Sequence, residues 1–269
     1  WGQAYNTIRS NVCMNEVIGM QTSFSLTVRE KTLRGIAHLP EQEHCPCLVL
    51  CHGLTGCAHE RTLMAIAKEL EKNGVACLRH DCIGSGESDG LSEEATTSTE
   101  AEDTAAVMAY ARTLPQVDPQ KVIVGGHSLG ALAAVMAAEE AHAAGIVLLS
   151  PAFSCYHELI QLLTGTALQD FLKNGWIDLG GFRVSKAMVD ELSDLDGYRI
   201  TCGLGLPTLL VHGELDGESP VYHSLRLKDK LGSKAELQLI PGVHHCYETA
   251  AAQADVAAKV RNFLLREFK

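Results

Sequence analysis

Apolar positions in this chain recur in two alternating rhythms. Short, nearly continuous apolar runs at 47–51, 75–78, 122–124, 146–150, 208–211 and 236–240 suit strands buried on both faces. Between them, stretches at about 60–72, 97–114, 129–142, 221–231 and 249–267 carry helical spacing or are rich in alanine. Ahead of these, 21–28 and 32–39 read as a pair of strands able to close a hairpin through Arg29, Glu30 and Lys31. Thr97 and Thr99 each stand three residues before a glutamate, Glu100 and Glu102, so either can open a helix with a capping box. Strands alternating with helices predict a mainly parallel sheet covered on both faces, in a single α/β domain. Between 151 and 206 the alternation lapses. A segment that long exceeds an ordinary connection and predicts a cap or lid over the carboxyl edge of the sheet.

Composition narrows the partners. Of 269 residues, 46% are hydrophobic and 20% charged, a globular balance. The 33 acidic side chains against 22 Lys and Arg give a net charge of −11, which leaves no basic footprint for nucleic acid or an anionic membrane surface. No apolar run reaches the roughly 18 residues of a bilayer span, and no signal-peptide pattern opens the chain. A soluble, cytoplasmic protein is expected, although the opening Trp1, where Met would be usual, leaves a removed leader open. The ten cysteines, at 13, 45, 47, 51, 57, 77, 82, 155, 202 and 246, are irregularly spaced and sit mostly in apolar runs, as buried reduced thiols do. Cys45-x-Cys47 stands alone and His244-His245 lacks a helical H-E-x-x-H setting, so no metal is expected.

The run at 122–124 leads into Gly125-Gly126-His127-Ser128-Leu129-Gly130 and then the alanine-rich helix. This is G-x-S-x-G in a strand, turn, helix setting, which strains the serine outward while small neighbours let strand and helix approach. A serine needs a base oriented by a third group. After the strand at 208–211 come Glu214, Asp216 and Glu218, of which Asp216, three residues past His212-Gly213, is the preferred acid. After the strand at 236–240 come His244 and His245, of which His245 is the preferred base and His244 a structural neighbour. Oxyanion donors are expected from the backbone N–H of Leu129 and, in the loop His52-Gly53-Leu54-Thr55-Gly56, of Leu54. The loop from Asp81 to Ser88 lacks the lysine of a phosphate loop and reads as structural.

Together these motifs resemble the α/β-hydrolase superfamily over essentially the whole chain. Within it, His52 to Gly56, Asp81 with Gly84 to Ser88, Gly126 to Gly130, His212-Gly213 with Asp216 and Pro220, and Gly242 with His245 are similar to the bacterial feruloyl (cinnamoyl) esterases. The stretch from Gly175 to Phe182 resembles that family's small lid insertion. Two departures are Leu54, where an aromatic is usual, and His244, where an acid is frequent. The resemblance implies a serine esterase that needs no cofactor or metal and acts through an acyl-enzyme on a small-molecule ester of hydroxycinnamate type. Trp176 and Phe182 become candidate walls of an acyl pocket, and Asp178 a candidate partner for a phenolic hydroxyl. Rival readings are a short-chain carboxylesterase, a monoacylglycerol lipase, an aminopeptidase, an acyltransferase, or a non-catalytic binding protein on the same fold. A homodimer is compatible with all of them.

Overall fold

The computed structural model describes residues 20–153 and 155–269; Trp1 and Cys13 lie outside them. Nine-residue strands β1 (Met20–Val28) and β2 (Lys31–Leu39) pair as a hairpin. Its two-residue turn puts both Arg29 and Glu30 at positive φ, the backbone twist that two-residue hairpins favour. Arg29 then anchors the turn by an ion pair to the buried Asp103 at 2.8 Å. Chain order continues β3 (Cys45–Cys51), α1 (Arg61–Lys72), β4 (Ala76–Asp81), α2 (Thr97–Ala111), β5 (Val117–His127), α3 (Leu129–Glu140) and β6 (Ile146–Leu149). After the excursion, β9 (Thr208–Gly213), α8 (Tyr222–Leu231), β10 (Ala235–Ile240) and α9 (Ala250–Phe268) complete the body.

The eight strands lie in the order β1-β2-β4-β3-β5-β6-β9-β10, antiparallel through β1, β2 and β4 and parallel from β4 to β10. Every residue of β3, β4, β6 and β9 is buried, which is why the apolar runs stand out in sequence; β4 goes on past its run through the buried polar Arg79, His80 and Asp81. Side chains on one face pack under α1 and α9, with Leu63, Ile66, Leu70, Val256, Val260 and Phe263. On the other, α2, α3 and α8 cover a larger core that reaches into the excursion.

That excursion comprises α4 (Cys155–Leu162), α5 (Gly165–Asn174), the hairpin β7 (Trp176–Leu179) with β8 (Phe182–Ser185), α6 (Lys186–Asp194) and α7 (Gly197–Leu204). Its final helix belongs to the body. Neighbouring parallel strands require a crossover connection, and α7, packed on α3 and α8, makes the one between β6 and β9. The part of the excursion outside that crossover is therefore shorter than the expected 151–206. It is tied down by Arg183 N–H to Ser92 Oγ (2.8 Å) and by Ser98 N–H to Glu191 (3.1 Å).

One start signal is corrected. The helix α2 is capped by Thr96, whose hydroxyl accepts the Thr99 N–H at 3.3 Å while the Thr99 hydroxyl accepts the Thr96 N–H at 2.8 Å. Glu100 cannot serve as the expected capping glutamate because it is buried on the inner face of α2.

Candidate active site

At the end of β5 the chain turns so sharply that Ser128 takes φ 55°, ψ −121°, a region that costs strain for any residue with a Cβ. The turn is held from both sides: Ser128 N–H donates to Leu149 O at 3.0 Å, and its carbonyl accepts from Ala131 and Ala152, each at 3.1 Å. It closes only because residues 126 and 130 lack side chains. A Cβ on Gly126 would overlap the Gly130 carbonyl, and one on Gly130 would overlap the carbonyl of His52. Leu129 opens α3, so its N–H has no intrahelical acceptor and remains available.

Asp216 lies buried in the loop after β9. Its Oδ2 accepts from His245 Nδ1 at 2.8 Å and lies 3.1 Å from His212 Nε2, while Oδ1 accepts the N–H groups of Glu218 (3.0 Å) and Ser219 (2.8 Å). Burial alone would raise this carboxyl, but the bonds from His212 and His245 outweigh it and hold it well below the usual carboxylate range. Glu214 is exposed, and Glu218 stands exposed at the cavity described below. His244 Nδ1 turns away to the carbonyl of Leu215 at 2.9 Å. Two residues past His245, the buried Tyr247 donates to Val211 O at 3.0 Å and contacts Ser150 Oγ at 2.9 Å, fixing the loop after β10 to the sheet.

Ser128 and His245 face one cavity of about 760 Å³, together with Gly53, Leu54 and Thr55. The loop carrying Leu54 is a turn closed by Gly56 N–H to Gly53 O at 3.0 Å, with Thr55 at positive φ. His52 is buried beneath it, accepting the Cys82 N–H at Nε2 (3.1 Å) and donating from Nδ1 to Gly53 O (2.8 Å). Ala152, Leu159 and Leu179 contribute apolar lining, and Arg61, Glu218 and Glu248 charged lining.

The three lid residues expected at the acyl pocket are elsewhere. On β7, side chains alternate between faces, so Ile177 and Leu179 turn inward while Trp176 and Asp178 turn away. Trp176 lies under the Arg183 guanidinium, 4.4 Å from the ring centroid. Asp178 Oδ1 accepts the Gly181 N–H at 2.6 Å and so closes the hairpin turn. Phe182 is the cross-strand partner of Leu179 but packs against the core and does not reach the cavity wall.

Sequence spacing also missed side chains that the fold brings together. Cys51, His80 and Cys82 are buried with their donor atoms all within 4.8 Å of one another. Cys51 Sγ lies 3.6 Å from Cys82 Sγ, and His80 Nε2 lies 3.8 Å from Cys82 Sγ. Burial pushes His80 down to about 3, and both the contact with Cys51 and burial push the Cys82 thiol far up, so those two groups are neutral. The Asp81 loop is structural, as read: its carboxylate accepts the N–H groups of Ala58 (2.6 Å) and Glu87 (2.9 Å).

The profile of a protein family described as "Serine aminopeptidase, S33" matches residues 42–186, more than half of the chain. The chain belongs to this S33 family. Among solved structures, Est1E from Butyrivibrio proteoclasticus with ferulic acid bound has a TM-score of 0.78 at 27% identity, covering 91% of this chain and 98% of that one. The alpha/beta hydrolase GrgF from Penicillium sp. sh18, at 18% identity and TM-score 0.74 over 92% of this chain and 99% of its own, shares the fold. The quorum-quenching protein AidA of Acinetobacter baumannii (strain MDR-ZJ06) is 37% identical over 86 residues, 32% of this chain and 28% of that protein. The matched segment thus spans under a third of AidA. The chain is an α/β-hydrolase enzyme resembling feruloyl esterases. Among the described residues no helix is long and apolar enough to cross a membrane.

Proposed function

We propose that this enzyme hydrolyses carboxylic esters through an acyl-enzyme on Ser128. The observation that carries the reading is the convergence of a strained Ser128 and an Asp216-oriented His245 on one cavity. His245 takes the Ser128 proton as the hydroxyl oxygen attacks the ester carbonyl, and returns it to the departing alcohol. Asp216 engages Nδ1 of the imidazole and so leaves Nε2 to act on the serine, and its own charge stabilises the imidazolium. The N–H groups of Leu54 and Leu129 receive the oxyanion. Water, activated by the same imidazole, then releases the acid and restores Ser128.

The substrate class we infer is a neutral hydroxycinnamate-type ester. Its support is the likeness to Est1E, a structure of which holds ferulic acid, and the apolar lining of Leu159 and Leu179 on which an aromatic acyl group can lie. A second reading has a foothold of its own: the family description is that of an aminopeptidase, and the carboxylates of Glu218 and Glu248 could receive a substrate amine. Rates on methyl ferulate, a monoacylglycerol and an aminoacyl arylamide separate these. The ester reading expects methyl ferulate to be turned over fastest, and preference for the arylamide overturns it. Ser128→Ala, in folded protein, is expected to lower turnover of an aryl ester by at least about 1,000-fold. Retention of most of the rate would refute the nucleophile.

A further inference from the structure

Glu60 stands at the N-cap of α1 and makes no side-chain bond to that helix. Its carboxylate reaches into the cavity wall instead. Oε1 accepts the Gly53 N–H at 3.1 Å, and Oε2 meets His127 Nδ1 at 3.2 Å. The other ring nitrogen, His127 Nε2, faces the carbonyl oxygen of His245 at 3.1 Å. A carbonyl oxygen can only accept, so Nε2 carries a proton; a second proton on Nδ1 completes the bond to the carboxylate. The ring is buried and lies 4.9 Å, centroid to centroid, from that of His245.

We propose that Glu60 and His127 are positioning residues, a half-buried ion pair at the cavity wall that holds the oxyanion loop, the serine turn and the backbone of His245 in one register. The inference rests on the ester-hydrolase reading above. The pair touches three segments far apart in sequence, and each carries one reacting group: Leu54 follows Gly53, Ser128 follows His127, and His245 is held directly. Space is reserved for it, since a Cβ on Gly56 would overlap Glu60 Oε1. Protonation agrees with the geometry: burial would lower His127, but the bond and charge of Glu60 win and raise it, while Glu60 is held low by His127 against its own desolvation. The other groups facing His127 are Tyr247, with ring centroids 6.0 Å apart, and Asp216 beyond His245.

Removing the carboxylate frees the Gly53 N–H and strands the imidazolium. Glu60→Gln behaves differently. Its amide oxygen can still accept from Gly53 and its amide N–H can donate to Nδ1 of a neutral His127, which keeps Nε2–H on His245. The test compares wild type, Glu60→Ala, Glu60→Gln and Ser128→Ala on an aryl ester, with folding checked by circular dichroism. Displacement of reacting groups by about 1 Å costs about 100-fold, so folded Glu60→Ala is expected to lose about 10- to 100-fold in kcat with KM changed less than about threefold. Glu60→Gln is expected to recover most of that loss. In ¹⁵N spectra of histidine-labelled protein at neutral pH, His127 is expected to be doubly protonated in the wild type and singly protonated in Glu60→Gln. Folded Glu60→Ala at the wild-type kcat, or Glu60→Gln as slow as Glu60→Ala, overturns the proposal. Should Glu60→Ala not fold, His127→Gln at the wild-type kcat does the same, and a loss of about tenfold supports it. An active Ser128→Ala would sink the hydrolase reading itself, whereas an inert Ser128→Ala beside a fully active Glu60→Ala sinks this inference alone.

Discussion

Gly130 shows how far a residue's local preference can be overruled. In the first turn of a helix, replacing glycine by alanine ordinarily stabilises by up to about 1 kcal/mol. Here the new methyl would overlap the carbonyl of His52 at the end of β3, which is backbone and cannot swing aside. Gly130→Ala is therefore expected to destabilise by about 1–3 kcal/mol and, because His52 leads into the cavity loop that carries Leu54, to slow the proposed ester turnover as well. Urea unfolding of the variant, coupled to initial rates, checks both; a raised midpoint would contradict the packing. That Ser128 and the bonded pair Asp216 and His245 come together at one cavity was legible because each follows a strand and each belongs to a spaced motif. Glu60 and His127 were not, being 67 residues apart and joined only by the packing of α1 beside the serine turn. The one local hint was a glutamate at a cap position that Ser, Thr, Asp or Asn prefers. Trp176 and Phe182 misled for a related reason: an aromatic in a hairpin announces burial somewhere but not which face it takes.

At the scale of elements, α2 carries a second buried acid problem. Glu100 is sealed beneath it near Asp103 and Glu191, and burial pushes its carboxyl up to about 8; Asp103, despite Arg29, is pushed up by burial to about 6. A folded-state value above the unfolded one means that the folded chain binds the extra proton, so stability falls as pH rises. For Glu100 the fall runs from the ordinary value of 4.5 toward about 8. Glu100→Gln, of the same shape, is expected to unfold like the wild type at pH 4 and to be more stable by up to a few kcal/mol at pH 8, at about 1.4 kcal/mol per unit. Denaturant midpoints at the two pH values measure it, and equal midpoints at pH 8 would show that the carboxyl is not held neutral. This acid was hidden in the sequence because a Thr/Glu spacing reads as a solvated cap. The strands, by contrast, were plain wherever both faces are buried. β5 extends well beyond the expected 122–124 because its start, Val117 to Lys121, contains proline and charge that pattern reading rejects.

For the whole molecule, burial is uneven. The sheet and its covering helices hold nearly all of the fully buried side chains, whereas α5 contains none and leaves Leu168 and Leu172 exposed, the latter by 75%. Segments with few buried contacts open at lower free energy than the global transition. Amides from about 163 to 181 are therefore expected to exchange well before those of β3, β5 and β6 in native-state hydrogen exchange, and limited proteolysis to begin there, at Lys173. Protection equal to that of the sheet would show one cooperative unit.

The crossover by α7 carries a consequence for how this scaffold can diversify. Because α7 alone returns the chain from β6 to β9, the stretch between Phe153 and Gly197 serves as an exchangeable cassette whose two ends are fixed by the body. Lengthening such a loop costs little in closure entropy, about 0.6 kcal/mol per doubling. Relatives could thus trade one such segment for another, altering the side of the cavity lined by Leu159 and Leu179 while the serine turn and its supports stay as they are.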